Sequence, residues 1–237
     1  MLACTEAIGD NSSFLEEISL RQLIKEPEEA AQACVIWMHG LGADLNQTMG
    51  LAAELQVAHA IRHVFLEAPK QAVTINQGMV MPAWYDIRGF ALADRQDQEG
   101  IARSSEAIVK VIDAQKQSGI PESGIFLAGF SQGGAMAMHT ALHYQQRIGG
   151  VVSLSGYLPL PDKVQPSLDK NTPFFLGAGQ YDMIVKPEWA ALSKAWLVKA
   201  GFTKLNDQVY PMEHSVCLEE LRDLSKWFNK CLGESAR

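Results

Sequence analysis

Apolar runs and helical stripes alternate along this chain. Ala33-Cys34-Val35-Ile36-Trp37-Met38 is apolar at every position, as in a strand covered on both faces. Ile125 to Phe130, Gly150 to Gly156 and Pro173 to Ala178 repeat the pattern, and Ile61 to Glu67 and Gln208 to Pro211 read as further strands. Between these lie segments with apolar residues at helical spacing: 45–60, 99–117, the stretch from about 132 to 145, 188–200 and 216–231. In the last of these, Leu218, Leu221, Leu224, Trp227 and Phe228 share one face. Asp44 stands where a helix N-cap is expected, and Gly201 where a C-cap is. Strand and helix alternating in this way predict an α/β fold: a mostly parallel central sheet with helices on both faces.

Three stretches break the rhythm. Asn11-Ser12-Ser13 reads as loop, 14–24 as an edge strand or short helix, and Lys25-Glu26-Pro27-Glu28-Glu29 as a solvated break. Residues 1–30 form an N-terminal extension to which no role is assigned. Residues 70–98 read as one long irregular loop, a length that usually carries function. Residues 157–172 also look loop-like. With no internal repeat or low-complexity linker, 1–237 is expected to be a single domain.

Composition narrows the partners. The 237 residues are 47% hydrophobic and 20% charged, with a net charge of −7. Such a chain can bury a core without disulfides. No Lys/Arg run stands out, so nucleic acid is not an expected partner. No apolar run reaches transmembrane length, and no stable membrane anchor is expected. Leu2-Ala3-Cys4 lacks the basic and apolar flanks of a lipoprotein signal. None of Cys4, Cys34, Cys217 and Cys231 forms a C-x-x-C pair, which fits a reducing compartment and a cytoplasmic location.

The candidate chemistry centres on Gly129-Phe130-Ser131-Gln132-Gly133. The G-x-S-x-G pattern alone is a weak signal. Its place between an apolar strand and a small-residue helix makes it the nucleophile elbow of an α/β-hydrolase fold. A serine hydroxyl needs a base in hydrogen-bond reach and a group to orient that base. In this fold the chain order is Ser, acid, His, and sites gather at the carboxyl ends of parallel strands. Asp182 and His214 each follow a predicted strand in that order.

The second oxyanion donor comes from a loop after an earlier strand. His39-Gly40-Leu41-Gly42-Ala43-Asp44 is that loop, so the backbone N–H groups of Leu41 and Gln132 are the expected pair. The same loop lacks the G-x-G-x-x-G or G-K-[ST] of a phosphate cradle. His39 is expected to shape the loop. His139 and His143 are expected to pack or face solvent, and Asp86 to be structural. Asp207 is read as preceding its strand, at the wrong end of the sheet, and Cys217 as a helix-packing thiol. Metal-ligand spacing is absent, so no metal is expected.

These segments, together with Met81-Pro82-Ala83-Trp84-Tyr85-Asp86-Ile87, resemble the phospholipase/carboxylesterase family, which includes the acyl-protein thioesterases. The resemblance covers about residues 33–230. It implies an α/β-hydrolase fold, Ser131 as nucleophile, Asp182 as acid, His214 as base, and cofactor-free hydrolysis of carboxylic esters or thioesters. Members commonly carry H-G-x-x-D in the loop of the acid, where this chain has Ala178-Gly179-Gln180-Tyr181-Asp182. The implied partners are a small-molecule or lipid ester and an acylated protein; a homodimer is left open. From the apolar side chains between Val73 and Phe90, Ile75, Met81 and Trp84 are expected to wall a groove for the acyl group. A dienelactone-hydrolase-like enzyme, a peptidase on the same fold, or a catalytically silent lipid-binding protein are the alternatives. The serine at the elbow weighs against the first, and the complete triad against the last.

Overall fold

The computed structural model describes residues 19–235. The expectations for Cys4, for the loop at 11–13 and for 14–18 fall outside them; of the rest of 14–24, residues 21–24 lie in an edge strand. In chain order the elements are β1 (Arg21–Lys25), β2 (Ala33–Met38), α1 (Leu45–Ala53), β3 (Ile61–Glu67), β4 (Lys70–Val73), β5 (Met79–Pro82) and α2 (Gln98–Gln117). Then come β6 (Ile125–Phe130), α3 (Gln132–His143), β7 (Gly150–Leu154), β8 (Phe174–Gly179), α4 (Pro187–Lys199), β9 (Leu205–Tyr210) and α5 (Leu218–Ser235).

Seven strands form one sheet in the order β1-β3-β2-β6-β7-β8-β9. β1 runs antiparallel to β3 at one edge, and the other neighbours are parallel. Alternation along each strand feeds two cores. Cys34, Ile36 and Met38 of β2 pack with Ile108, Ile112, Met136 and Leu197, from α2, α3 and α4. Val35 and Trp37 point the other way, toward Leu45 of α1 and Leu224, Trp227 and Phe228 of α5. Both faces are therefore covered, as the uniformly apolar runs require. Cys34 is a free thiol sealed in the first core, and burial pushes its pKa up to about 12, which makes it inert.

Three expectations need correction. The helix expected over 45–60 stops at Ala53. Beyond it, the Gln56 amide donates to Ser225 Oγ (3.0 Å) and the Ala58 amide to Asn229 Oδ1 (2.9 Å). Polar side chains of α5 thus take the amides that would have continued α1. The irregular stretch 70–98 contains a hairpin, with Lys70 to Val73 paired antiparallel to Met79 to Pro82. Its turn places Gln77 and Gly78 at φ of 58° and 76°. Asp207 lies within β9, not before it, and pairs with Lys194 at 2.6 Å. No helix among the described residues is long and apolar enough to cross a membrane.

Glu220, on the first turn of α5, is fully buried, and no ion pair or well-formed hydrogen bond among the described residues holds its carboxyl group. It packs where Gly177 of β8 leaves room, since a Cβ there would collide with Oε1. Burial raises its pKa from 4.5 to about 8, with the Cys217 amide pulling the other way. The folded protein therefore holds a proton that the unfolded chain releases between those two values. This contribution to stability is full at the acid end, erodes as pH rises toward 8 and then levels. Glu220→Gln removes the titration. The melting temperature of the variant relative to the native protein should rise steadily from pH 5 to pH 8. The total gain should be equivalent to a few kcal/mol at most, accruing at roughly 1.4 kcal/mol for each step of one in pH. A difference that stays flat with pH would show that Glu220 is ionised in the fold.

Candidate active site

The elbow between β6 and α3 is built by close approach. A Cβ at Gly129 would run into the Gly133 carbonyl group, and one at Gly133 into the Met38 carbonyl of β2. Helix and strands pack there without side chains between them. Ser131 is left at φ 55° and ψ −117°, a conformation that costs a non-glycine residue about 1–3 kcal/mol. Two backbone bonds fix it, Ser131 N to Leu154 O (2.8 Å) and Ala135 N to Ser131 O (3.0 Å).

The other functional side chains arrive from neighbouring strand ends. His214, in the segment after β9, places Nε2 2.8 Å from Ser131 Oγ and Nδ1 2.6 Å from Asp182 Oδ2. Its ring lies against Phe130, with centroids 4.9 Å apart. Asp182 follows β8 with its side chain fully buried. Oδ1 accepts the amides of Ile184 and Val185, both at 2.8 Å. The carboxylate is thus aimed by backbone on one oxygen and faces the imidazole with the other. Nδ1 therefore carries the proton, and Nε2 is free to accept the serine's.

The departure from H-G-x-x-D leaves this loop intact, because backbone bonds hold it. Gln180 N donates to Tyr210 O (2.8 Å), and Tyr181 N to Met212 O (3.0 Å).

The loop after β2 is set by its histidine. His39 Nε2 accepts the Ala68 amide (3.0 Å), so Nδ1 donates to Gly40 O (2.7 Å), and burial lowers the ring's pKa. His39 is therefore a neutral brace, and Gln47 Oε1 takes the Gly40 amide (2.8 Å). The amides of Leu41 and Gln132 have no acceptor among the described residues. Leu41, Ser131, Gln132 and His214 line one cavity of about 350 Å³.

The groove residues divide. Ile75 lines a second, more open cavity of about 610 Å³, which shares Leu41, Ile87, Arg95 and Ile184 with the first. Phe90 and Met183 also line it, each about 80% exposed. Trp84 does not wall it. Its side chain is wholly buried in the core, and Nε1 donates to His39 O (2.9 Å). An aromatic with a polar edge was drawn inward to satisfy a buried carbonyl, so it braces the loop after β2 from beneath. Met81 lines neither cavity; its sulfur receives Asn76 Nδ2 (3.1 Å) and lies near Gly42. Asp86 is structural, accepting the Thr74 amide and hydroxyl.

Sequence reasoning missed two contributions. The Gln132 side chain ties the elbow to the 84–85 segment, with Oε1 accepting the Trp84 amide (2.9 Å) and Nε2 donating to Tyr85 O (2.8 Å). The glutamine inside G-x-S-x-G was a usable signal for this. Arg95, Tyr85 and Tyr157 also line the cavity at Ser131; Tyr85 lies within the Met81 to Ile87 segment, and nothing in the local sequence pattern marks Arg95 or Tyr157.

Comparison with known proteins agrees with this architecture. Residues 21–232 match the family model described as Phospholipase/Carboxylesterase. The chain is 36% identical over 221 residues to acyl-protein thioesterase 1 of Yarrowia lipolytica, covering 89% of this chain and 97% of that one. It is 32% identical over 227 residues to a probable carboxylesterase of Oryza sativa subsp. japonica, covering 90% and 85%. The crystal structure of SOBER1 of Arabidopsis thaliana superposes with a TM-score of 0.78 at 26% identity, covering 85% of this chain and all of that one. A family match along nearly the whole sheet, joined to a serine, histidine and aspartate in mutual reach at its strand ends, identifies the chain as a member of the phospholipase/carboxylesterase family, with the α/β-hydrolase fold and ester hydrolysis as its activity.

Proposed function

We propose that Ser131, His214 and Asp182 carry this hydrolysis, and that the substrates are esters or thioesters of apolar acyl groups. The observation that carries the reading is the continuous relay from Ser131 Oγ through His214 to Asp182, with links of 2.8 and 2.6 Å. Ser131 Oγ attacks the acyl carbonyl as His214 Nε2 takes its proton. The amides of Leu41 and Gln132 receive the negative oxygen, and Asp182 stabilises the imidazolium. His214 returns the proton to the departing alkoxide or thiolate. Water, activated by the same imidazole, then releases the acid from the acyl-enzyme. No group beyond the chain's own residues is called on.

The open cavity supports an acyl chain as the recognised part. Ile75, Ile87, Phe90, Leu92, Met183 and Ile184 line it, and it runs on from the site at Ser131. An apolar surface left this exposed marks a contact site. Acylated proteins fall within this class, in line with the name of the Yarrowia lipolytica relative. A reducing, cytoplasmic setting fits the free thiols of Cys34 and Cys217.

Hydrolysis across a series of p-nitrophenyl esters and acyl thioesters tests the reading. Each buried methylene contributes about 0.8 kcal/mol, so four more should raise kcat/KM by roughly two orders of magnitude where they are fully covered. The expected profile climbs from acetyl to octanoyl, and Phe90→Ala with Met183→Ala flattens it. A flat or falling profile in the native enzyme would mean that the groove does not hold the acyl chain.

A further inference from the structure

Arg95 is the one permanently charged side chain lining the cavity at Ser131, and it also lines the outer groove. It is only 7% exposed. Its Nη2 donates to Ile184 O (3.2 Å), its guanidinium lies 5.0 Å from the Trp189 ring centroid and hydrogen-bonds the Tyr157 hydroxyl, and Nε has no acceptor among the described residues. No carboxylate among the described residues pairs with it. Asp97, two residues on, spends its carboxylate on the amides of Asp86 and Gly100. A buried cation is ordinarily matched by a carboxylate, because losing its water is costly.

The surroundings point the same way. The protein carries a net charge of −7, yet no Asp or Glu among the described residues lines either cavity, and Lys186 adds a second cation to the outer one. Beside Arg95 in the inner cavity, the Tyr85 and Tyr157 hydroxyls lie 2.7 Å apart. Burial raises the pKa of both, to about 12 for Tyr157, with the Arg95 charge drawing it back. Both stay neutral, and because one donates to the other, a single O–H is left to donate into the cavity. A guanidinium and a phenolic donor facing an acid-free cavity form a receptor for an oxyanion.

We infer that Arg95 is a specificity-determining residue that binds an oxyanion carried by the substrate itself, so that esters bearing a carboxylate on the acyl chain or a phosphate on the alcohol are preferred substrates. The inference rests on Ser131 as the nucleophile of this site. The two sources of the anion are separable. A carboxylate would end the acyl chain, as in a dicarboxylic monoester, whereas a phosphate would sit on the alcohol side.

The test compares matched pairs on native enzyme, Arg95→Gln and Arg95→Lys. One arm sets the p-nitrophenyl monoesters of adipate and suberate against the hexanoate and octanoate esters. The other sets 1-octanoyl-glycerol 3-phosphate against 1-octanoyl-glycerol. The readout is the ratio of kcat/KM for the anionic ester to that for its neutral partner, which cancels any general damage to the site. In at least one arm the native ratio should exceed one, fall tenfold or more in Arg95→Gln, chiefly through KM, and recover in part in Arg95→Lys. Native ratios below one in both arms, or a ratio that Arg95→Gln leaves unmoved, would overturn the inference and leave Arg95 as a brace for the Ile184 segment. Ser131-dependent hydrolysis of the neutral esters would then still stand, so failure here is distinguishable from failure of the nucleophile assignment.

Discussion

Ser131→Ala should reduce kcat for ester hydrolysis by several orders of magnitude, on the order of 10⁶ by analogy with serine nucleophiles in general. In the proposed mechanism the hydroxyl is the attacking atom, and His214 alone cannot replace it. Binding should survive, because the cavity walls and the amides of Leu41 and Gln132 are untouched. A residual rate above that of water is therefore expected. The fold should survive as well. Ser131 is held by its backbone amide and carbonyl, and its hydroxyl bonds only to His214 among the described residues. Alanine keeps the Cβ that the turn already tolerates at φ 55°. Steady-state kinetics, a melting curve and labelling by a fluorophosphonate probe check the three parts together. Near-native turnover, or probe attached elsewhere in the variant, would remove Ser131 from the mechanism.

What the sequence could reveal followed from the reach of each signal. Ser131, Asp182 and His214 stand out because residue type, chain order and strand ends constrain one another, so three separate weak patterns become one strong pattern. The strands β2 and β6 were legible because double coverage demands unbroken apolar runs, which no surface element shows. The hairpin β4–β5 was hidden for the opposite reason. Its four-residue strands pair only with each other and leave Met79 and Val80 exposed, so no core imposes a period on them. Trp84 was misplaced because an aromatic in a long loop has the same sequence signature whether it walls a groove or plugs a core. Only the His39 carbonyl that its indole serves decides between them. Arg95 left no trace, since its burial depends on contacts with residues 184 and 189, far along the chain.

Asp182→Asn should cost roughly 10⁴ in kcat while leaving the protein folded, and the reason lies in how the side chain is anchored. Oδ1 of Asp182 accepts two backbone amides, from Ile184 and Val185. In the variant only the carboxamide oxygen can fill that place, because an NH₂ group set against two N–H donors would leave all of them unsatisfied. The carboxamide is thereby fixed with its NH₂ toward His214. Facing a donor, His214 Nδ1 must accept, so the proton moves to Nε2, the nitrogen that should receive the serine's proton. The base is lost through its tautomer, with scarcely an atom displaced. Two measurements separate this from simple loss of charge. The imidazole nitrogens of the variant should show Nε2 protonated by NMR, and the residual activity should rise steeply at high pH, where hydroxide does the work of the missing base. A variant that kept native turnover at pH 7 would show that another acid orients His214. Asp182→Ala supplies the contrast: without a carboxamide to enforce the wrong tautomer, its imidazole is free to hold the proton on either nitrogen. It should also melt at a lower temperature than Asp182→Asn, since the Ile184 and Val185 amides lose their acceptor.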